Sequence, residues 1–223
     1  MDLLQAIEAR RSVRAYEERP LAPQDRDALT ARIGELNAES GLNMQLIENE
    51  PQAFGGLLAH YGHFSGVTSY IALVGPDSPA LPERCGYFGE RLVLFARQLG
   101  LDTCWVAGTY RKGKVKAAYQ RRAGEKLMAV IAVGYGKEPG RPHRSRTFDE
   151  VAQTDGEAPG WFRAGVEAAL AAPTAINQQR FRFVLQDGTV TAQALRGPYS
   201  KIDLGIVKCH FEIASGRALP PAD

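Results

Sequence analysis

The run "KLMAVIAVGYG" (126–136) limits the fold more than any other stretch of the chain. It is too short for a membrane span, which needs about 20 apolar residues. Side chains alternate between the two faces of a strand, so an almost unbroken apolar run reads as a strand buried on both sides. A sheet built around it must be covered by packed layers above and below.

The remaining pattern supplies those layers. Leu3, Leu4 and Ile7 mark a short amphipathic helix, and Pro23 suits the first position of a helix carrying Leu29, Ile33 and Leu36. The segment from Pro82 to Leu99 reads as a long helix, with Tyr87, Leu92, Phe95 and Leu99 on one face and Gly100 as its stop. Residues 42–49 and 69–75 read as strands, and "LDTCWVAGTY" (101–110) as strand or loop. A short basic helix falls near Lys114 to Arg121, and another helix runs from near Trp161 to Pro173. Asp187-Gly188 between two alternating runs, 181–186 and 189–194, signals a tight hairpin. A last helix spans Asp203 to Ser215, with Gly216 beyond it. The sum is an α+β protein layered around one mixed sheet.

A faint repeat accompanies this order. "LNMQ" (42–45) and "INQQ" (176–179) each follow a helix and precede a strand. Gly89 and Phe95 stand at the same offsets before Gly100 as Gly205 and Phe211 do before Gly216. The pattern suggests that one half is a worn copy of the other.

The balance of 27 basic and 25 acidic residues argues against a nucleic-acid partner, while leaving room for a small anion. Cys85, Cys104 and Cys209 have no metal-binding spacing, and they read as reduced thiols in a cytoplasmic protein. The N-terminus lacks the apolar core of a secretory signal, and no membrane association is expected.

Few motifs carry chemistry. "RRSVR" groups Arg10, Arg11 and Arg14 around Ser12, a donor set suited to phosphate, although a solvated basic helix end has the same letters. "RSR" (144–146) repeats the theme after a proline-rich connector. Gly108 in "CWVAG" lets a backbone approach a flat ligand. His60 and His63 have helical metal spacing without a third ligand, and Cys104 lacks a base. There is no P-loop, no GxGxxG and no nucleophile elbow.

Taken together, "RRSVRAY", "APTAINQQRFRFVL", "YFGERLVLFARQLGLDTCWVAG" and "EKLMAVIAVGYGKEPGRPHRSRTFDEV" resemble the motifs of the FMN-dependent nitroreductase family. Their order departs from the family's, in which the Ala-Pro-Asn segment comes early and reaches the flavin bound mainly by the other subunit. Here it lies near the C-terminus. The resemblance therefore implies the single-chain subgroup: a nitroreductase-like mixed sheet flanked by helices, with two fused halves imitating the homodimer. Residues 1–154 would form the main flavin half and residues 155–223 the partner-like half, giving a monomer with one FMN.

Carried over by position, the resemblance implies that Arg10, Arg11 and Ser12 meet the FMN phosphate, with Arg144 and Arg146 closing on it. Arg14 falls at the pyrimidine edge or ribityl chain, with an electrostatic role. A backbone N–H of Val106, Ala107 or Gly108 faces flavin N5. Pro173, Thr174, Ala175, Asn177 and Gln179 reach the ring and ribityl face. Ala175 departs from a position often serine in the family, and Arg180 and Phe181 replace a proline-tryptophan pair.

The implied activity is hydride transfer from NADH or NADPH through FMN to a small organic acceptor such as a nitroaromatic or quinone, without a dedicated acid or base. A flavin-dependent dehydrogenase or dehalogenase is an alternative. So is a flavin sensor or store, with "HYGHFSGVTSY" (60–70) as a lid over the ring.

Overall fold

In a computed structural model, residues 1–55, 63–141 and 144–220 are described. The strands divide between two sheets rather than building one. The larger sheet has the order β1-β2-β4-β3, with β1 Gln45–Ile47, β2 Ser69–Pro76, β3 Asp102–Val106 and β4 Glu125–Gly134, every pair antiparallel. The smaller has the order β5-β6-β7, with β5 Ala152–Thr154 parallel to β6 Phe181–Gln186, which pairs in turn with antiparallel β7 Thr189–Ala194. Only this second sheet is mixed. The fold class is nevertheless the expected α+β.

The apolar run becomes central strand β4, covered on both faces. Ala129, Ile131 and Val133 face one hydrophobic cluster together with Ile71 and Leu73 of β2. The alternate residues Val130 and Ala132 face another, with Tyr70, Ala72 and Val74. Period-2 alternation thus turns one continuous run into two packed faces.

Among the described residues seven helices enclose these sheets. Helix α1 (Leu3–Ala9) begins with a capping box between Asp2 and Gln5. Helix α2 (Pro23–Ser40) starts on the anticipated proline and stops at Gly41, whose φ of 70° favours glycine. Helix α3 (Leu81–Gln98) is the long helix expected, and α4 (Lys112–Ala118) the short basic one. Helix α5 (Phe148–Val151) is a single turn, followed by α6 (Gly160–Leu170) and α7 (Ser200–Ser215).

Helices α3 and α7 cross at two glycines. A Cβ on Gly86 would collide with the Ile202 carbonyl, and one on Gly205 with the Glu83 carbonyl, so only glycine permits this approach. Lys208 of α7 pairs with Glu83 of α3 beside the crossing. Gly205 matches Gly89 by sequence offset, but Gly89 makes room for the Trp105 ring instead. Beneath α7, Phe211 stacks on Phe183 at 4.7 Å and meets Phe162 edge-on at 5.9 Å, tying the smaller sheet to α6 and α7.

The segment after α1 does not fray. Val13 N–H donates to the Thr103 carbonyl at 3.0 Å, and Ser65 N–H donates to the Arg14 carbonyl at 3.0 Å. "RRSVR" is thereby stitched between β3 and the loop at 63–66. At the hairpin, Asp187 and Gly188 have φ of 51° and 73°, the paired left-handed turn that their letters signal.

Candidate functional site

A two-part cavity lies where the N-terminal arm, the end of β3 and the loop between α6 and β6 meet. The first compartment, about 430 Å³, is walled mainly by Trp105, Val106, Ala107, Ile202 and Ile206. The second, about 680 Å³, is lined by Arg10, Arg11, Arg14 and Arg141, with Glu138 as its acid. Ser12, Arg14, His63, Pro173, Thr174 and Ile176 line both, so the compartments adjoin. One part thus suits a flat apolar ring, the other an anion.

Arg10 is the most constrained of these cations. It is 4% exposed, and its Nη2 donates to the Ala171 carbonyl at 3.3 Å. Its Nε lies 3.9 Å from Glu90 and has no hydrogen-bond partner. Burial lowers its pKa, and the Glu90 charge opposes that shift. A buried guanidinium nitrogen without a partner is costly unless something else accepts from it. Arg11 is turned back instead, its Nη1 donating to the carbonyls of Glu8 and Arg10 at 2.6 and 2.7 Å. Gly140 crosses against this segment, where a Cβ would meet the Ser12 carbonyl at 2.6 Å. Arg14 is exposed at the junction of the two compartments.

Glu90 organises both compartments from behind. One carboxylate oxygen accepts from Trp105 Nε1 at 2.8 Å, and the other lies 2.9 Å from His210 Nε2. His210 Nδ1 faces the Ala168 carbonyl at 3.0 Å, so the ring must donate there. A proton then has to lie between Nε2 and the carboxylate, since both are otherwise acceptors. Glu90 and His210 are fully buried, and their network fixes a wall of the first compartment and an arginine of the second. Sequence reading missed both residues, and only the position of Glu90 on the buried face of α3 could have signalled it.

The loop at 173–179 is held in an unusual shape. Ile176, Asn177 and Gln179 have φ of 47°, 55° and 46°, left-handed values that cost most at a β-branched residue. Gln179 over-determines this shape. It is buried; its Nε2 donates to the Arg144 carbonyl and to Asn177 Oδ1, both at 2.8 Å, and its Oε1 accepts from Arg146 N–H at 2.8 Å. Its own N–H reaches Thr174 Oγ1 at 3.1 Å. The strained Ile176 is 88% exposed and borders both compartments.

Asp203 of α7 is the acid in the first compartment. It accepts from Ala175 N–H at 3.0 Å and from Gln178 Nε2 at 2.7 Å. Burial pushes its pKa up to about 6, against the pull of these hydrogen bonds. Nothing in its local sequence distinguishes it from an ordinary helix-start aspartate.

Most of the expected site residues converge here. Arg10, Arg11, Ser12, Arg14, Val106, Ala107, Gly108, Pro173, Thr174, Ala175 and Asn177 all line one compartment or both. Three do not. Gln179 is buried beneath the loop as its brace, and Arg144 and Arg146 contribute backbone groups to that brace while their side chains stand outside both linings. The Arg146 side chain instead lies 4.0 Å from Glu150. The basic connector gives the cavity Arg141 in their stead. Cys104 is a buried thiol whose pKa is raised by burial, as a core cysteine should be. His63 lines both compartments, and His60 lies outside the described residues. No cluster among the described residues could hold a metal ion, and no described helix is long and apolar enough to cross a membrane.

Comparison with known proteins agrees with this architecture. A "putative nitroreductase" from Thermotoga maritima is similar over 96% of this chain and 83% of its own, at 22% identity and a TM-score of 0.66. A "putative nitroreductase in complex with FMN" from Desulfovibrio desulfuricans matches over 67% of this chain and 94% of its own, at 23% identity and a TM-score of 0.52. A "putative NADH dehydrogenase/NAD(P)H nitroreductase" from Parabacteroides distasonis matches over 67% and 95%, at 22% identity and a TM-score of 0.53. These likenesses establish the fold. No curated protein matches the chain. The family model described as "Putative TM nitroreductase" matches residues 2–215, nearly the whole sequence, and the chain belongs to that nitroreductase family.

Proposed function

We propose that the protein is an FMN-dependent oxidoreductase that moves a hydride from NADH or NADPH to a small organic acceptor, a nitroaromatic or a quinone. The observation that carries this reading is the divided cavity, an apolar ring compartment continuous with an arginine-lined one. The donor set fits a flavin mononucleotide, with an aromatic head for the first part and a phosphate for the second. Arg10 keeps its unpartnered Nε beside Glu90, and its buried guanidinium lines the second compartment, where an anionic group would balance its charge.

In this reading Arg10, Arg11, Ser12 and Arg141 would hold the phosphate, while Arg14, Thr174 and Asn177 border the ribityl chain. Arg144, Arg146 and Gln179 act one step removed, by fixing Asn177 and the loop. Trp105, Val106, Ala107 and Gly108 would form one side of the ring compartment, and a backbone N–H from residues 106–108 would meet the ring edge. The chemistry FMN supplies when bound is two-electron transfer, which the protein orients. Arg14 carries the charge suited to stabilising electron density at the pyrimidine edge. Ile176 and Ile206 add apolar surface to the ring compartment.

The same proposal assigns residues 1–154 to the main half and 155–223 to the partner-like half. The glycine crossing of α3 and α7, and the match of shorter neighbours to about two thirds of this chain, support it. It predicts a flavin-loaded monomer by sedimentation, and an obligate dimer would oppose the fused-halves reading. The deciding experiment for activity is the visible spectrum of the purified protein, followed by anaerobic addition of NADPH and NADH. A yellow protein that bleaches and then turns over an acceptor supports the proposal. A protein that neither carries nor takes up FMN defeats it.

A further inference from the structure

A third cavity of about 340 Å³ opens beside the ring compartment, and Ala107 and Tyr199 line both. Its charge is one-sided. Lys112 and Lys116, one helical turn apart on α4, join Arg121 and Lys126 in its wall. Its single acid, Glu125, is buried and already accepts from Asn43 Nδ2 and Arg122 N–H, both at 2.9 Å. Arg121 Nε donates to the Glu125 carbonyl at 3.2 Å, and Lys126 lies 3.6 Å from Asp77. Lys112 and Lys116 make no hydrogen bond or ion pair among the described residues. Residues 111–122 contain six basic side chains and no acid, in a chain whose 27 basic and 25 acidic residues nearly cancel.

The rest of the wall is aromatic and apolar. Tyr110 and Tyr119 are buried there, and burial raises the Tyr110 phenol to about 12, so it stays neutral. Tyr199 stands at the junction with a left-handed backbone (φ 57°) and 45% exposure. Its hydroxyl lies where a Cβ on Gly108 would approach within 3.1 Å. Tyr199 is thus a strained, exposed tyrosine between an apolar chamber and a cationic one. A ligand with a flat ring at one end and an anion beside a second aromatic group at the other would match both chambers.

We propose that this annex binds the diphosphate and adenosine arm of the dinucleotide donor, with Lys112 and Lys116 as its anion contacts and Tyr199 at the passage between the chambers. The inference rests on the oxidoreductase reading above and extends it to how the donor is recognised.

The test uses the FMN-loaded protein and the double variant Lys112→Ala/Lys116→Ala, whose exposed positions spare the core. One measurement is the affinity for 1,4,5,6-tetrahydro-NADPH, a donor analogue that cannot give up its hydride, read from the flavin spectrum. The other is the anaerobic bleaching rate with NADPH against N-benzyl-1,4-dihydronicotinamide, which has the ring without phosphates or adenosine. The expected result is about tenfold weaker binding of the analogue, a matching loss with subsaturating NADPH, and a benzyl-donor rate within about twofold of the parent. Unchanged analogue affinity, or an equal loss with both donors, overturns the annex assignment. A fall confined to a carboxylated nitroaromatic acceptor also overturns it, because the lysines would then serve the acceptor. If the parent protein is bleached by the benzyl donor but neither binds nor is bleached by the dinucleotides, the donor reading itself fails, and the annex assignment falls with it.

Discussion

Residues 10–14 and 144–146 both carry arginines around a serine, and the fold uses them in opposite ways. In the first segment the backbone is consumed by β3 and the 63–66 loop, which leaves Arg10 and Arg14 side chains to face the cavity. In the second, the backbone is what matters: the Arg144 carbonyl and Arg146 N–H are gripped by Gln179, and the side chains stand outside the cavity. The same residue types thus become a cavity wall or a brace according to which atoms the neighbours have already claimed.

The contrast breaks most visibly at Glu90, the carboxylate behind Arg10. Glu90→Gln keeps the volume but removes the buried carboxylate that Arg10, His210 and Trp105 share, and losing one partner of a buried charged set costs about 3–5 kcal/mol. Denaturant unfolding should show that loss, with flavin retention falling alongside it. A loss under about 1 kcal/mol would mean that Arg10 does not depend on this network.

Asp203 gives the next largest effect, in the brace's own neighbourhood. Its folded pKa of about 6 lies above the unfolded value of 3.8, so the charged form is disfavoured by folding. Its contribution to stability is therefore fully present below pH 3.8 and is lost as pH rises through about 6. Two units correspond to at most about 3 kcal/mol. Asp203→Asn should remove this dependence, so the variant gains on the parent between pH 4 and 7. Parallel stability curves across that range would show that Asp203 ionises as freely as in the unfolded chain.

Arg10→Ala against Arg144→Ala tests the two clusters directly. Loss of a buried charge-assisted contact is worth about 1.5–3 kcal/mol, or roughly ten- to a hundredfold in FMN affinity. Arg144→Ala retains the carbonyl that Gln179 and Asn177 use, so affinity should stay within about twofold. Equal losses, measured by flavin titration of the apoprotein, would give both arginines side-chain roles at the phosphate.

The sequence disclosed these elements unevenly, for physical reasons. Strand β4, the Asp187-Gly188 hairpin and the proline start of α2 are local consequences of periodicity and turn chemistry, and they were legible. The split into two sheets was not, because strand pairing depends on partners distant in sequence. For the same reason, the cavity-lining role of Pro173, Thr174 and Asn177 came from family resemblance rather than from their letters. Glu90, His210, Asp203 and Arg141 stayed hidden, since each acquires its role from burial or from residues distant in the chain. The resemblance puts Gln179 at the flavin, and its letter alone gives no sign that its side chain turns inward to brace the loop.

Asn177 separates those two possibilities at the smallest scale. Its side chain donates to the Arg144 carbonyl at 2.8 Å, accepts from Gln179, and borders the anion compartment, while its backbone sits at φ 55°. Asn177→Gly removes the side chain but accepts the left-handed backbone, whereas Asn177→Ala removes it and adds strain of about 1 kcal/mol. If strain dominates, the alanine variant should be less stable than the glycine variant by about that amount, with both losing FMN affinity similarly. If only the alanine variant loses FMN, the loop's shape matters and the side chain does not. Equal stability and unchanged affinity in both would reduce Asn177 to a surface residue, and the loop would then owe its shape to Gln179 alone.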